Sequence, residues 1–134
     1  MALVGAWAVS SATFALVHFS QVATPTAFLF YLLLGGGLLG TAYVVSGDLA
    51  LPIGLHIAFN FASNTLFGLT GVVSDEVPSV LELSFTGPEA IVGVPGVVHA
   101  GTIAVGIAAT LLWVRYHRGE LGLRSDLAVW KPRD

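Results

Sequence analysis

The sequence predicts an all-α polytopic membrane protein with four transmembrane helices and an acidic extracytoplasmic loop. Three observations predict it. Hydrophobic residues make up 55% of the 134 and charged residues 10%, where a soluble domain carries roughly 25% charged; the mean hydropathy is +0.86. No Asp, Glu, Lys or Arg occurs from Met1 to Gly47. Four apolar runs approach the roughly 20 residues that carry a helix across about 30 Å of hydrocarbon.

The first run is Ala2 to Ser20. It lacks the basic start of a secretory leader and carries His18 where a cleavage site would fall, so it reads as a true span. The second, Ala27 to Val45, follows the breaker "TPT"; the third, Leu49 to Leu69, follows the turn "SGD"; the fourth is Val97 to Val114. Residues 1–118 thus form one membrane domain and residues 119–134 a short tail.

Charge sets the expected topology. Residues 70–96 hold Asp75, Glu76, Glu82 and Glu89, three prolines and no base, whereas all five bases follow the fourth span. The positive-inside rule puts that tail in the cytoplasm, and four spans then put Met1 there too and the acidic loop outside. Within the loop, "SVLELSF" is expected to form a short interfacial helix or strand. The chain should reside in the cell membrane, with lipid as its constant partner. A net charge of −3 argues against nucleic acid, which needs a basic face. With no cysteine there is no disulfide framework and no thiol nucleophile or thiolate metal site.

Small residues recur at close-approach spacing, with Gly36 and Gly40 on the second span and Ala100, Ala104 and Ala108 on the fourth. Such stripes let helix backbones approach closely. They read first as contacts within the chain; self-association is left open.

Polar side chains in the spans carry the functional question. An unpaired polar group in hydrocarbon costs roughly 2–7 kcal/mol, so an ionisable residue there is a functional candidate. His18 lies near the end of the first span in "FALVHF". On the third span His56, Asn60, Ser63 and Asn64 fall within about 100° of one another at helical spacing. Two histidines on separate spans, with an amide one turn after the second, suit three chemistries: a metal site, a proton relay, or hydrolysis with donors stabilising an oxyanion. Metal is the weakest of them, because Zn²⁺ takes three or four His, Cys or carboxylate ligands and no carboxylate precedes Asp48. No metal or other cofactor is therefore expected. Asp48 reads as a turn and capping residue, and His99 and His117 as interfacial.

These residues also carry a resemblance. Phe14 to His18 fits F-x-x-x-H, and His56 to Asn60 fits H-x-x-x-N. Between them "FLFYLLLGGGLLGTAYVVSGDLALPIGLH" resembles the glycine-rich helix, short turn and proline-led helix of the CAAX protease and bacteriocin-processing family, the intramembrane glutamic endopeptidases also called Abi proteins. The resemblance is strongest over residues 5–68. It implies a hydrolase cleaving peptide bonds of membrane-associated peptides or proteins. His18 would position the attacking water or share its proton, His56 and Asn60 would serve as oxyanion donors or water orienters, and Phe14 would line the site. The family's E-E-x-x-x-R motif, which supplies the glutamate that activates water and lies upstream of F-x-x-x-H, is absent from this chain. The chain accordingly looks like the C-terminal part of such a protease and is expected to be inert alone. The competing reading is a non-catalytic membrane protein, either a helix-packing partner or a proton-conducting bundle.

Depth sets a geometric problem. His18 lies about 24 Å along the first span and His56 about 10 Å into the third, a mismatch of about 14 Å between parallel helices. A shared site requires a deep start to the third span, as a re-entrant turn at residues 46–52 would give, or an outward shift of the first.

Overall fold

A computed structural model describes residues 2–19, 25–68, 79–81, 86–92 and 97–124. Every regular element among them is helical, as the composition predicts. In chain order these are α1 (Ala2–Phe19), α2 (Pro25–Leu32), a π-helical segment (Leu33–Gly40), α3 (Thr41–Ser46), α4 (Ala50–Asn60), a second π-helical segment (Phe61–Leu66), the short α5 (Glu89–Val92) and α6 (Val97–Arg118).

Residues 25–46 run as one continuous helix, because the junction residues Leu32 and Thr41 both keep right-handed helical dihedrals. Pro25 opens it, at the position where a missing N–H costs nothing. Its middle widens to π geometry across "LLGGGLLG", where three adjacent glycines leave the backbone unusually free. Gly47 ends it in the left-handed conformation at φ 69° and donates to the Tyr43 carbonyl at 2.7 Å, a glycine stop to a helix. Asp48 then accepts the Ala50 N–H at 2.8 Å and is exposed, the turn-and-cap role its position suggests. Pro52 falls in the first turn of α4, where helices tolerate it.

This continuous helix is the centre of the fold. The main buried cluster consists of Ala15 from α1, Phe30, Tyr31, Leu34, Leu38 and Leu39 from residues 25–46, and Ile103 from α6. Helix α1 packs on α2 and the first π segment, α4 on that segment and α3, and α6 likewise on that segment and α3. Glycine makes the α1 contact close. A Cβ at Gly35 would sit 2.6 Å from Phe14, one at Gly36 would sit 2.8 Å from Ser11 Cβ, and one at Gly40 would overlap the Trp7 indole. The indole Nε1 also donates to the Gly36 carbonyl at 2.9 Å. Gly36 and Gly40 are thus occupied by contacts within the chain. On α6 the buried face is instead Ile103, Thr110 and Val114, while Ala100, Ala104 and Ala108 are exposed. The alanine spacing therefore marks an exposed face of that helix, turned about 100° from its contact face at helical spacing.

Among the described residues, two helical stretches are long and apolar enough to cross a membrane: Phe28–Ser46, and the one that ends at Arg118. Leu3–His18 is a shorter apolar helix. The third expected span keeps a helical backbone through Asn60 and Phe61 but changes there from α to π geometry, and it ends at Leu66. The start of α1, the end of α3 and the residues after α6 share one end of the molecule, since Leu3, Val4, Val44, Val45 and Leu123 line one apolar cavity. The Arg124 N–H donates to the Val44 carbonyl at 3.1 Å and the Arg118 guanidinium to the Val45 carbonyl at 3.2 Å. Carbonyls at a helix end are thereby satisfied, with positive charge where the helix dipole favours it.

Most of the expected acidic loop, with Asp75, Glu76 and Glu82, lies outside the described residues, as do residues 125–134 of the tail. Of "SVLELSF" only Ser79–Leu81 are described; Val80 and Leu81 donate to the Thr65 and Leu66 carbonyls at 2.9 and 2.8 Å.

Candidate functional site

His18 sits in the last turn of α1. Its ring Nδ1 is 2.8 Å from the Phe14 carbonyl one turn earlier. A carbonyl only accepts, so Nδ1 carries the proton in this contact. In the neutral ring that leaves Nε2 as a lone-pair acceptor. The bond follows from helix geometry, in which side chains lean back toward the preceding turn.

The ring is held on both faces. Phe14 stacks on it with centroids 4.2 Å apart and planes 27° apart. Tyr31 of α2 stacks at 4.9 Å and 28°. His56, from α4, completes the group: its ring centroid lies 6.3 Å from that of His18 and 5.5 Å from that of Phe14, edge-on to the phenyl. Three separate helices thus bring two imidazoles together within an aromatic cluster. Both histidines are half-buried.

The rings meet, with centroids 6.3 Å apart, and three features of the fold act in the direction that reduces the expected depth mismatch. The His18 ring leans back toward Phe14, which lies one turn nearer the depth of His56. A π-helical turn holds more residues than an α-turn, so Leu33–Gly40 is shorter than the same residues would be as an α-helix. The Gly47 reversal is tight, with only Gly47 to Leu49 between α3 and α4.

Asn60 lies one turn beyond His56 on α4 and is exposed, not enclosed with the two rings. Ser63 and Asn64 are half-buried within the second π segment. The wider turns there displace them from the positions that regular α spacing would give. The polar row thus changes exposure along its length: half-buried at His56, open at Asn60, half-buried again beyond.

The other histidines lie apart from this group. His117 is exposed, bonded through Nδ1 to the Trp113 carbonyl at 3.0 Å and set against the Trp113 ring at 4.5 Å. His99 meets Phe30 edge-on at 5.7 Å, and its Nδ1 is buried without a hydrogen-bond partner. Among the described residues no three His, Asp or Glu gather as a metal-holding group.

Two residues of this region escaped the sequence reading. Tyr31 was hidden in "FLFYLLL" as one more aromatic; its signal was the phenol, since a tyrosine buried in an apolar run brings a polar handle with it. Trp7 was hidden in the same way, and its signal was an indole N–H in a helix with no charged partner.

Fold and geometry together define an all-helical, apolar protein whose histidine pair is assembled from two helices flanking a glycine-rich third. Residues 2–62 match the family model described as Rce1-like, type II CAAX prenyl endopeptidase. The match takes in Phe14, His18, His56 and Asn60, and it supports the relationship to the CAAX protease family that the two motifs suggest. That family is membrane-embedded, and the two long apolar helices agree with a membrane location. No curated protein and no solved structure gave a match.

Proposed function

We propose that these residues form the histidine half of an intramembrane endopeptidase site acting on membrane-associated peptides or proteins. The observation that carries this reading is the pairing of His18 and His56, 6.3 Å between ring centroids. A water or a substrate carbonyl can bridge two such rings within ordinary hydrogen-bond reach. His18, with Nδ1 committed to the Phe14 carbonyl, offers Nε2 to accept a proton from water or to orient it. His56 offers a ring N–H to a developing oxyanion. Asn60, at the open edge beyond His56, offers its amide to a substrate arriving from that side. Fixed donors of this kind gain strength where little water competes.

The nucleophile needs a stronger base than these groups supply. Chain residues before Asp48 include no carboxylate, and Asp48 is engaged in its own turn. The 134 residues alone are accordingly expected to be proteolytically inert, and a helix bearing E-E-x-x-x-R is expected to supply the missing carboxylate. The termini are assigned to the cytoplasmic face, following the basic tail.

The test is turnover of a membrane-embedded reporter peptide in proteoliposomes, by the 134-residue chain and by the chain extended with an E-E-x-x-x-R helix. Cleavage only by the extended chain, abolished by His56→Ala, is the expected result. An extended chain that is folded and still inert would overturn the protease reading in favour of a helix-packing or proton-conducting protein. Cleavage by the unextended chain would place the base elsewhere, with Asp48 the first residue to substitute.

A further inference from the structure

The geometry points to Tyr31 as a positioning residue that fixes the orientation of the His18 ring and so selects which nitrogen faces the site. This rests on the proposed role of His18, and it adds a residue that neither motif contains. Tyr31 belongs to α2, outside both F-x-x-x-H and H-x-x-x-N.

An imidazole at the end of a helix can rotate about its outer side-chain bond, and that torsion has a broad preference. Rotation would remove Nδ1 from the Phe14 carbonyl and exchange the two nitrogens. Phe14 alone covers one face. Tyr31 also stacks on the ring, at 4.9 Å and 28°, so the imidazole lies in a slot between two aromatics that are each within 28° of its own plane. The slot is rigid because Tyr31 is itself held. It is 5% exposed, set edge-on against Phe30 at 5.3 Å, and part of the main buried cluster. The opposite wall is fixed too, since Phe14 packs directly over Gly35, where any Cβ would displace it. One consequence is electronic: with Nδ1–H held on the Phe14 carbonyl, Nε2 stays the acceptor. The other is steric, because the ring edge is confined to the side where His56 lies.

Nuclear magnetic resonance of the full chain in lipid nanodiscs, labelled with ¹⁵N in its histidine rings, reads both directly. In the unsubstituted protein, His18 should show one neutral tautomer, with Nδ1 protonated and Nε2 bare. Its ring protons should be shifted upfield of those of the exposed His117 by the aromatic rings on both faces. Tyr31→Phe keeps the stack and should keep both features. Tyr31→Leu removes one wall and should give a mixture of tautomers. In the chain extended with an E-E-x-x-x-R helix, the same variant should lower kcat by about tenfold with KM within about twofold, a partial loss of the 10²–10⁴-fold that positioned acid–base groups contribute.

The unsubstituted chain provides a test even if Tyr31→Leu does not fold. His18 ring protons without the upfield shift, or both tautomers present in the unsubstituted chain, would overturn the inference. So would a folded Tyr31→Leu protein with an unchanged His18 spectrum. Failure of the protease reading looks different: the folded extended chain would stay inert, while the His18 spectrum of the unsubstituted and Tyr31→Leu proteins still differed.

Discussion

At the scale of single residues, the site is governed by what the polar atoms can reach. His18 satisfies one ring nitrogen within its own helix and leaves the other as a lone-pair acceptor. Removing an oxyanion donor costs about 10²–10³ in rate. His56→Ala and Asn60→Ala in the extended, active chain are therefore each expected to lower kcat by about that factor, read as initial rates of reporter cleavage. The two should differ in substrate dependence. Asn60 is exposed and His56 half-buried, so Asn60→Ala should also alter KM as substrate length varies, and His56→Ala should not. Trp7 makes a different kind of contact, an indole hydrogen bond to the Gly36 carbonyl at 2.9 Å. Hydrogen bonds between helices in a bilayer average about 0.6 kcal/mol, with a maximum near 1.7. Trp7→Phe should destabilise the chain by an amount in that range, measured by reversible unfolding in mixed micelles.

At the scale of elements, the glycine-rich helix sets the distance from which α1 views the rest of the fold. Gly35 matters most for the site, because the residue it accommodates is Phe14, one wall of the His18 slot. A methyl group there would sit 2.6 Å from the phenyl ring, and relief must come by moving Phe14 or parting the helices. Overpacking of this kind costs about 1–3 kcal/mol. Gly35→Ala should therefore lower stability by that amount and also disturb the His18 ring signals, whereas Gly54→Ala, with open space around it, should do neither. Gly47 is an element boundary with another requirement. Its φ of 69° costs roughly 1–2 kcal/mol for a residue with a Cβ, and a substituent would press on Arg124, 3.1 Å away. Gly47→Val should shift the start of α4 and, through it, the depth of His56; the readout is loss of the His18–His56 proximity measured with a spin label and a ¹⁵N ring.

At the scale of the whole molecule, the start of α1 and the ends of α3 and α6 gather at one side. Arg118 and Arg124 join α6 and its following residues to α3 through the Val45 and Val44 carbonyls, and Leu3 and Val4 bring α1 to the same apolar cavity. That shared end is the one expected to face the cytoplasm. The chain contains no cysteine, so single cysteines placed at Gly5, Gly119 and Ser79 report orientation without background. In right-side-out vesicles a membrane-impermeant thiol reagent should label Ser79→Cys and spare the other two until the membrane is opened. Labelling of Gly5→Cys together with Gly119→Cys in sealed vesicles would reverse the orientation, and labelling of only one of them would break the four-span topology.

Composition and charge were enough to determine the helical class and the approximate helix positions, and they singled out the two histidines as candidates. An apolar run must satisfy its backbone internally, and an imidazole within such a run needs a reason to be there. Gly47 and Pro52 likewise announced the turn between the second and third helices, because few residues adopt their conformations. Other features lay beyond one-dimensional reading. Regular α spacing grouped Ser63 and Asn64 with His56 and Asn60, but π geometry begins at Phe61 and changes their angular placement. The alanine spacing on the fourth helix gave no means of telling its contact face from its exposed one, since small residues suit either. The meeting of His18 with His56 was decided by tertiary structure alone. It depends on how closely α1 approaches the glycine-rich helix, on the shortening of that helix through its π segment, and on Tyr31 filling the space behind the ring. Those are properties of three helices packed together, and no single helix encodes a distance to another.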